Sequence, residues 1–186
     1  MEQIRDSITL LRKELPGSRY YVPEVKLQSV LSKAAIYQVL QQCSNVQPQE
    51  LTELTKLVDD GARKILGILL IIGHVGYIKT FISEDQYQQS QLDHRLPFEL
   101  QKLETLLRPA HARLFFDRQW EFISPVFSES VLRRQLDDHI ILPFTDDSYR
   151  DKGGFGMVYN IQLEPEQNLY GSNFQQVRST TTNELL

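Results

Sequence analysis

The sequence predicts a mainly α protein, a helical bundle followed by a short β-hairpin. Three observations predict it. Apolar residues recur at steps of three and four from Ile4 to Phe122. The pattern breaks at Ser124-Pro125. From Tyr149 onward, clustered glycines are followed by residues that alternate at a period of two. With 41% hydrophobic and 24% charged residues over 186 positions, the chain has enough apolar material to bury a core without staples.

The elements follow in order. Ile4, Ile8, Leu11 and Leu15 share one helical face, and Pro16-Gly17 stops that helix. Tyr20-Tyr21-Val22 reads as extended because Pro23 pushes its predecessor out of the α region. A second helix starts near Glu24 and carries Val25, Leu27, Val30 and Leu31. Ser32 is the expected N-cap of a third, whose stripe is Ile36, Val39, Leu40 and Cys43. After a loop at Asn45 to Pro48, one long helix is expected through Leu51, Leu54, Val58, Ala62, Ile65 and Leu69. Ser83-Glu84-Asp85 is a candidate cap for a short helix, and Gln86 to Gln91 reads as a solvated loop.

Leu96-Pro97 opens a helix with Leu100, Leu103 and Leu107 on one side, and Arg108-Pro109 breaks it. In the next helix, Ala110 to Phe122, the residues Leu114, Phe115, Phe116, Trp120 and Phe122 spread around the axis. That spread marks a helix packed on several sides, and core packing is the preferred role for its rings. His139 to Phe144 is a short β-like run, Thr145 to Ser148 a turn, and a hairpin follows. The expected domains are 1–127 (helical), 128–164 (hairpin-bearing) and 165–186 (a poorly ordered tail rich in Asn, Gln, Ser and Thr).

Composition excludes several classes. A net charge of -4, with no run of Lys and Arg, argues against a nucleic-acid partner. Cys43 is the sole cysteine, so no intrachain disulfide forms. The histidines, His74, His94, His111 and His139, lack ligand spacing, so no metal is expected. Ile65 to Ile78 is apolar but interrupted by glycines and His74, and it falls short of the roughly 20 residues of a membrane span. A buried helix is expected there, and no membrane partner. The N-terminus lacks the order of a signal peptide, so the expected location is intracellular, cytoplasmic or nuclear. His74 is most simply a hydrogen-bonded core histidine, with a buried switch as the alternative. Asp85, Asp93 and Glu99 read as a solvated face, with a gathered acidic cluster as the alternative.

One stretch carries chemistry: Tyr149-Arg150-Asp151-Lys152-Gly153-Gly154-Phe155-Gly156-Met157-Val158-Tyr159. Glycines let a tight turn bring backbone N–H groups against phosphate oxygens. After it, Met157, Tyr159, Ile161 and Leu163 alternate with Val158, Asn160, Gln162 and Glu164. The stretch resembles the glycine-rich loop of protein kinases, Gly-x-Gly-x-Phe-Gly-x-Val. The resemblance implies that the hairpin corresponds to the first two strands of a kinase small lobe. It places Gly153 and Gly156 at the second and third glycine positions, with Gly154 between them. Phe155 would cover the phosphates and Val158 would face the adenine of ATP.

Asp151 stands where the first glycine belongs, and its charge would repel phosphate. No lysine follows Lys152, so the phosphate-holding strand lysine is missing, as are the His-Arg-Asp and Asp-Phe-Gly motifs. A complete catalytic domain would take roughly 200 more residues. Together with Phe115-Phe116-Asp117-Arg118-Gln119-Trp120-Glu121-Phe122 and Ile141-Leu142-Pro143-Phe144, the stretch is similar to the N-terminal part of kinase-like proteins of filamentous fungi. The resemblance implies a truncated protein kinase-like protein. Its family activity would be ATP-dependent Ser/Thr phosphorylation, absent from this chain, with no catalytic residue. The alternative is a helical interaction or regulatory module that binds a protein partner and no nucleotide.

Overall fold

The computed structural model describes residues 1–15, 17–84, 91–127, 137–153, 156–167 and 177–181. Among them are eight α-helices: α1 (Glu2–Leu11), α2 (Glu24–Val30), α3 (Lys33–Gln41), α4 (Leu51–Gly61), α5 (Arg63–Ile71), α6 (Ile78–Glu84), α7 (Leu100–Leu106) and α8 (Pro109–Gln119). There are five strands: β1 (Lys13–Leu15), β2 (Arg19–Tyr21), β3 (Phe144–Gly153), β4 (Gly156–Leu163) and β5 (Val177–Thr181). The protein is therefore mainly helical with a β-hairpin toward its C-terminus, as the periodicity predicts. It divides into two compact units. The first comprises Met1–Lys13 and Val22–Ile123, the second Glu14–Tyr21 and Ser124–Leu186.

The helical unit surrounds one core. Ile8, Leu27, Leu31, Ile36, Val39, Leu40, Val58, Ile65, Leu66, Ile68, Leu69 and Phe115 belong to it and are fully buried. α5 lies at its centre: Ile65 to Leu70 are all buried, so the run that reads as apolar all round is a core helix. No helix among the described residues is long and apolar enough to cross a membrane. Ser32 caps α3 as expected, its hydroxyl accepting a hydrogen bond from the Ala35 N–H at 3.4 Å.

Several helices differ from their expected form: Ser83 and Glu84, expected in a cap, close α6, and the helix expected to open at Leu96-Pro97 begins at Leu100. The first helix ends at Leu11, and Leu15 lies in β1. The long helix expected from Leu51 to Leu69 is two, broken at Ala62, whose φ of -134° leaves the α region. Gly61 weakens the helix there, and a distant side chain rewards the break. The Asp93 carboxylate accepts hydrogen bonds from the Lys64 and Ile65 N–H groups at 2.9 and 3.1 Å, satisfying donors that the new N-terminus leaves open.

The segment Phe115 to Phe122 is the packing node of the unit. The Phe115 ring stacks on Phe81 at 5.1 Å and meets Phe98 edge-on at 6.3 Å. The buried Gln119 side chain clamps the Phe98 backbone, accepting from its N–H at 2.7 Å and donating to its carbonyl at 2.9 Å. Buried Glu121 accepts from Arg12 through both carboxylate oxygens, at 2.6 and 3.0 Å, and from Arg118 at 2.6 Å. Its backbone carbonyl accepts from the Val22 N–H at 2.7 Å. Phe122 lies so close to Gly67 that a Cβ there would meet its ring at 2.7 Å.

The second unit contains two small sheets. β1 pairs with β2 around Gly17 and Ser18, both at positive φ (81° and 56°). The other sheet has three antiparallel strands in the order β3-β4-β5. Thr145 to Ser148, expected as a turn, lies in β3, where register shifts on either side absorb the irregularity. The tail from Pro165 is expected to be poorly ordered. Val177–Thr181 instead pairs along β4, and its Val, Thr and Thr suit a pleated surface.

Candidate functional site

Two places bring chemistry-bearing residues together. The first is the glycine hairpin. β3 and β4 close with Gly153 opposite Gly156. Gly154 and Phe155 lie outside the described residues. Asp151 is the direct register partner of Val158, so the acidic residue at the first-glycine position neighbours the proposed adenine contact across the ladder. Ile161 and Leu163 are buried and Gln162 is exposed, which matches the expected alternation. On the other side of β4, Asn160 stands opposite Arg178 and Val158 opposite Thr180. The sequence of β5, Val177–Thr181, contains an arginine and no lysine.

The second place escapes sequence reading. His74 and His111, distant in the chain and without ligand spacing, have their rings stacked at 3.6 Å with an interplanar angle of 28°. Tyr77 meets both rings edge-on, at 6.2 Å from His74 and 5.7 Å from His111. Its hydroxyl shares a hydrogen bond with His111 Nδ1 at 3.1 Å, the donor depending on the imidazole tautomer. His74 is partly buried just past the end of α5, between Gly73 and the 3-10 turn Val75–Tyr77. It lines an open cleft of about 500 Å³ whose other walls include Met1, Gln42, Cys43, Asn45, Gly76 and Thr80.

Burial, then the neighbouring His111, then Arg108 hold the His74 imidazole below its ordinary pKa. Burial raises the Cys43 thiol above its ordinary value, so the cleft's thiol is a poor nucleophile at neutral pH. His74 and Tyr77 sit three residues apart, a spacing visible in the sequence. Nothing local announces His111, which arrives on α8. Asp93, read as part of a solvated face, is instead the remote cap of α5. Among the described residues, no group of three or more His, Cys, Asp or Glu is placed to hold a metal ion.

No family model, curated protein or solved structure matches the chain.

Proposed function

We propose that this chain is a non-catalytic kinase-like protein, a helical module joined to the glycine-closed hairpin of a nucleotide-binding small lobe. The observation that carries the reading is the register of that hairpin, which pairs Gly153 with Gly156 and aligns β4 behind it as a strand. A glycine-flanked strand turn of this kind is the element that brings backbone N–H groups against phosphates. Two features argue that the cradle is unused. Asp151 stands at the first-glycine position, and no lysine follows Lys152 in the sequence to hold phosphate.

The test is a thermal melt with Mg-ATP. The wild-type chain is expected to show no ATP-dependent rise in Tm and no phosphate transfer to a generic Ser/Thr substrate. Asp151→Gly restores the missing glycine and removes the repelling charge. It is expected to gain an ATP-dependent rise that a further Gly156→Val abolishes. A wild-type response lost on Gly156→Val would overturn the non-binding part of the reading. No gain in Asp151→Gly would reduce the hairpin to an ordinary glycine turn.

A second reading is a protein-interaction module, and the exposed apolar side chains of the helical unit are where a partner would first be sought. Leu10 on α1 is 85% exposed and Val25 on α2 is 67% exposed. These are large apolar side chains that folding leaves in water.

A further inference from the structure

The stacked imidazoles of the helical unit stand apart from the hairpin and have no role in the function proposed above. Two aromatic rings 3.6 Å apart make good van der Waals contact while both are neutral. A charge on His74 is opposed by its burial and by the neighbouring His111 and Arg108. The groups facing His74 are His111 and Arg108 from the start of α8, and Tyr77 from its own turn. The Cys43 thiol and Met1 line the same cleft, and the Met1 ammonium donates to Gln42 at 2.8 Å. Lys79, on α6, donates to the Asn45 carbonyl and pairs with Glu50. No residue lining the cleft is a carboxylate. A protonated His74 therefore finds no counter-charge there.

The segment that carries His74 starts at an uncrowded glycine and is anchored beyond it by Val75, which is buried in the core. Gly73 has a positive φ of 75°, and nothing lies within 4 Å of where its Cβ would stand. Beyond it, the Gly76 carbonyl is tethered to the Asn45 side chain at 2.8 Å, so release from α8 need not unravel α6. We infer that the His74–His111 stack is a proton-operated latch. It holds the Gly73–Tyr77 turn against α8 while the rings are neutral, and lets go when His74 is charged, widening the cleft. The direction follows from linkage. A histidine whose pKa is depressed in the closed form stabilises that form above the free imidazole pKa, near 6.5, and the contribution is lost as pH falls through the depressed value.

Hydrogen exchange on the full chain tests this, at about pH 7.5 and about pH 5, with each rate corrected for its intrinsic pH dependence. NMR titration of the imidazole Cε1–H protons accompanies it. The Val75–Tyr77 amides are expected to exchange faster at the lower pH, by roughly tenfold for each unit by which the His74 midpoint lies below free histidine. Amides of α3 should keep their protection. His111→Phe keeps a flat ring and removes the repulsion between two imidazoles, so it should shrink the rise. His74→Phe removes the charge itself and should abolish it. A wild-type turn exchanging equally at both pH values overturns the latch. So does a full rise retained in His74→Phe, or an equal loosening of α3, which would mean general acid unfolding.

Discussion

At the scale of single residues, the buried polar groups matter most. Glu121 is the shared acceptor of Arg12 and Arg118, so it ties the end of α1 to the end of α8. Glu121→Ala leaves both guanidiniums without that partner and is expected to cost about 3 kcal/mol, read as a lower urea midpoint at unchanged slope. Gly67→Ala gains helix propensity but drives a methyl into the Phe122 ring. Overpacking of that kind costs about 1–3 kcal/mol, so a net loss in Tm is expected despite the better helix former. The letters around Phe115 to Phe122 advertised a packed, many-sided helix; Phe115 and Phe122 do lie in the core, while Phe116 is partly buried and Leu114 is exposed. Those letters did not advertise that Gln119 and Glu121 would be buried as well. Their partners, Phe98 and Arg12, come from elsewhere in the chain, and no local pattern names a distant partner.

At the scale of elements, the break between α4 and α5 is instructive. Hydrophobic steps of three and four run through Ala62 without a pause, so periodicity alone predicts one helix. Asp93, twenty-eight residues beyond Ile65, decides otherwise by capping the second half. Burial pushes its carboxyl up from 3.8 to about 6, against the backbone hydrogen bonds and Lys64 that pull it down. In the unfolded chain the group ionises near 3.8, while in the fold it keeps its proton to about 6. Between those values the folded state binds more protons, so this group's contribution to stability is present below 3.8 and lost as pH rises to about 6, by up to about 3 kcal/mol. A pH series of urea melts should show that decline in the wild type and a flatter profile in Asp93→Asn. Asp93→Ala removes the cap and should cost about 1–2 kcal/mol even near pH 4. By contrast, the Ser32 cap was legible because a cap and its helix are adjacent in sequence. The hairpin was legible too, since alternation is local, but β5 was not, because its polar letters resemble those of a loop.

At the scale of the whole molecule, the core cluster of the helical unit runs from Ile8 to Phe122 among the described residues. A chain ending at Ile123 is expected to keep a helical circular dichroism spectrum and a cooperative melt. A non-cooperative melt would mean that the two units fold as one. The period changes after Ser124-Pro125, near the 127/128 boundary expected from the sequence, while the compact helical unit ends at Ile123. Invisible in the sequence was the excursion near the start: Glu14–Tyr21 interrupts the helical unit and is grouped with residues from Ser124 onward.

That interruption has a consequence for synthesis. A ribosome releases the chain from the N-terminus, so Glu14–Tyr21 emerges long before the rest of its unit has been translated. The helices can gather around it first, while it waits as a tethered loop for partners still unmade. Closing so wide a separation is slow compared with forming neighbouring helices. Stalled nascent chains lengthened stepwise past Ile123 should therefore show the helices protected from protease early, with the Lys13–Val22 connection remaining cleavable until the final strands appear.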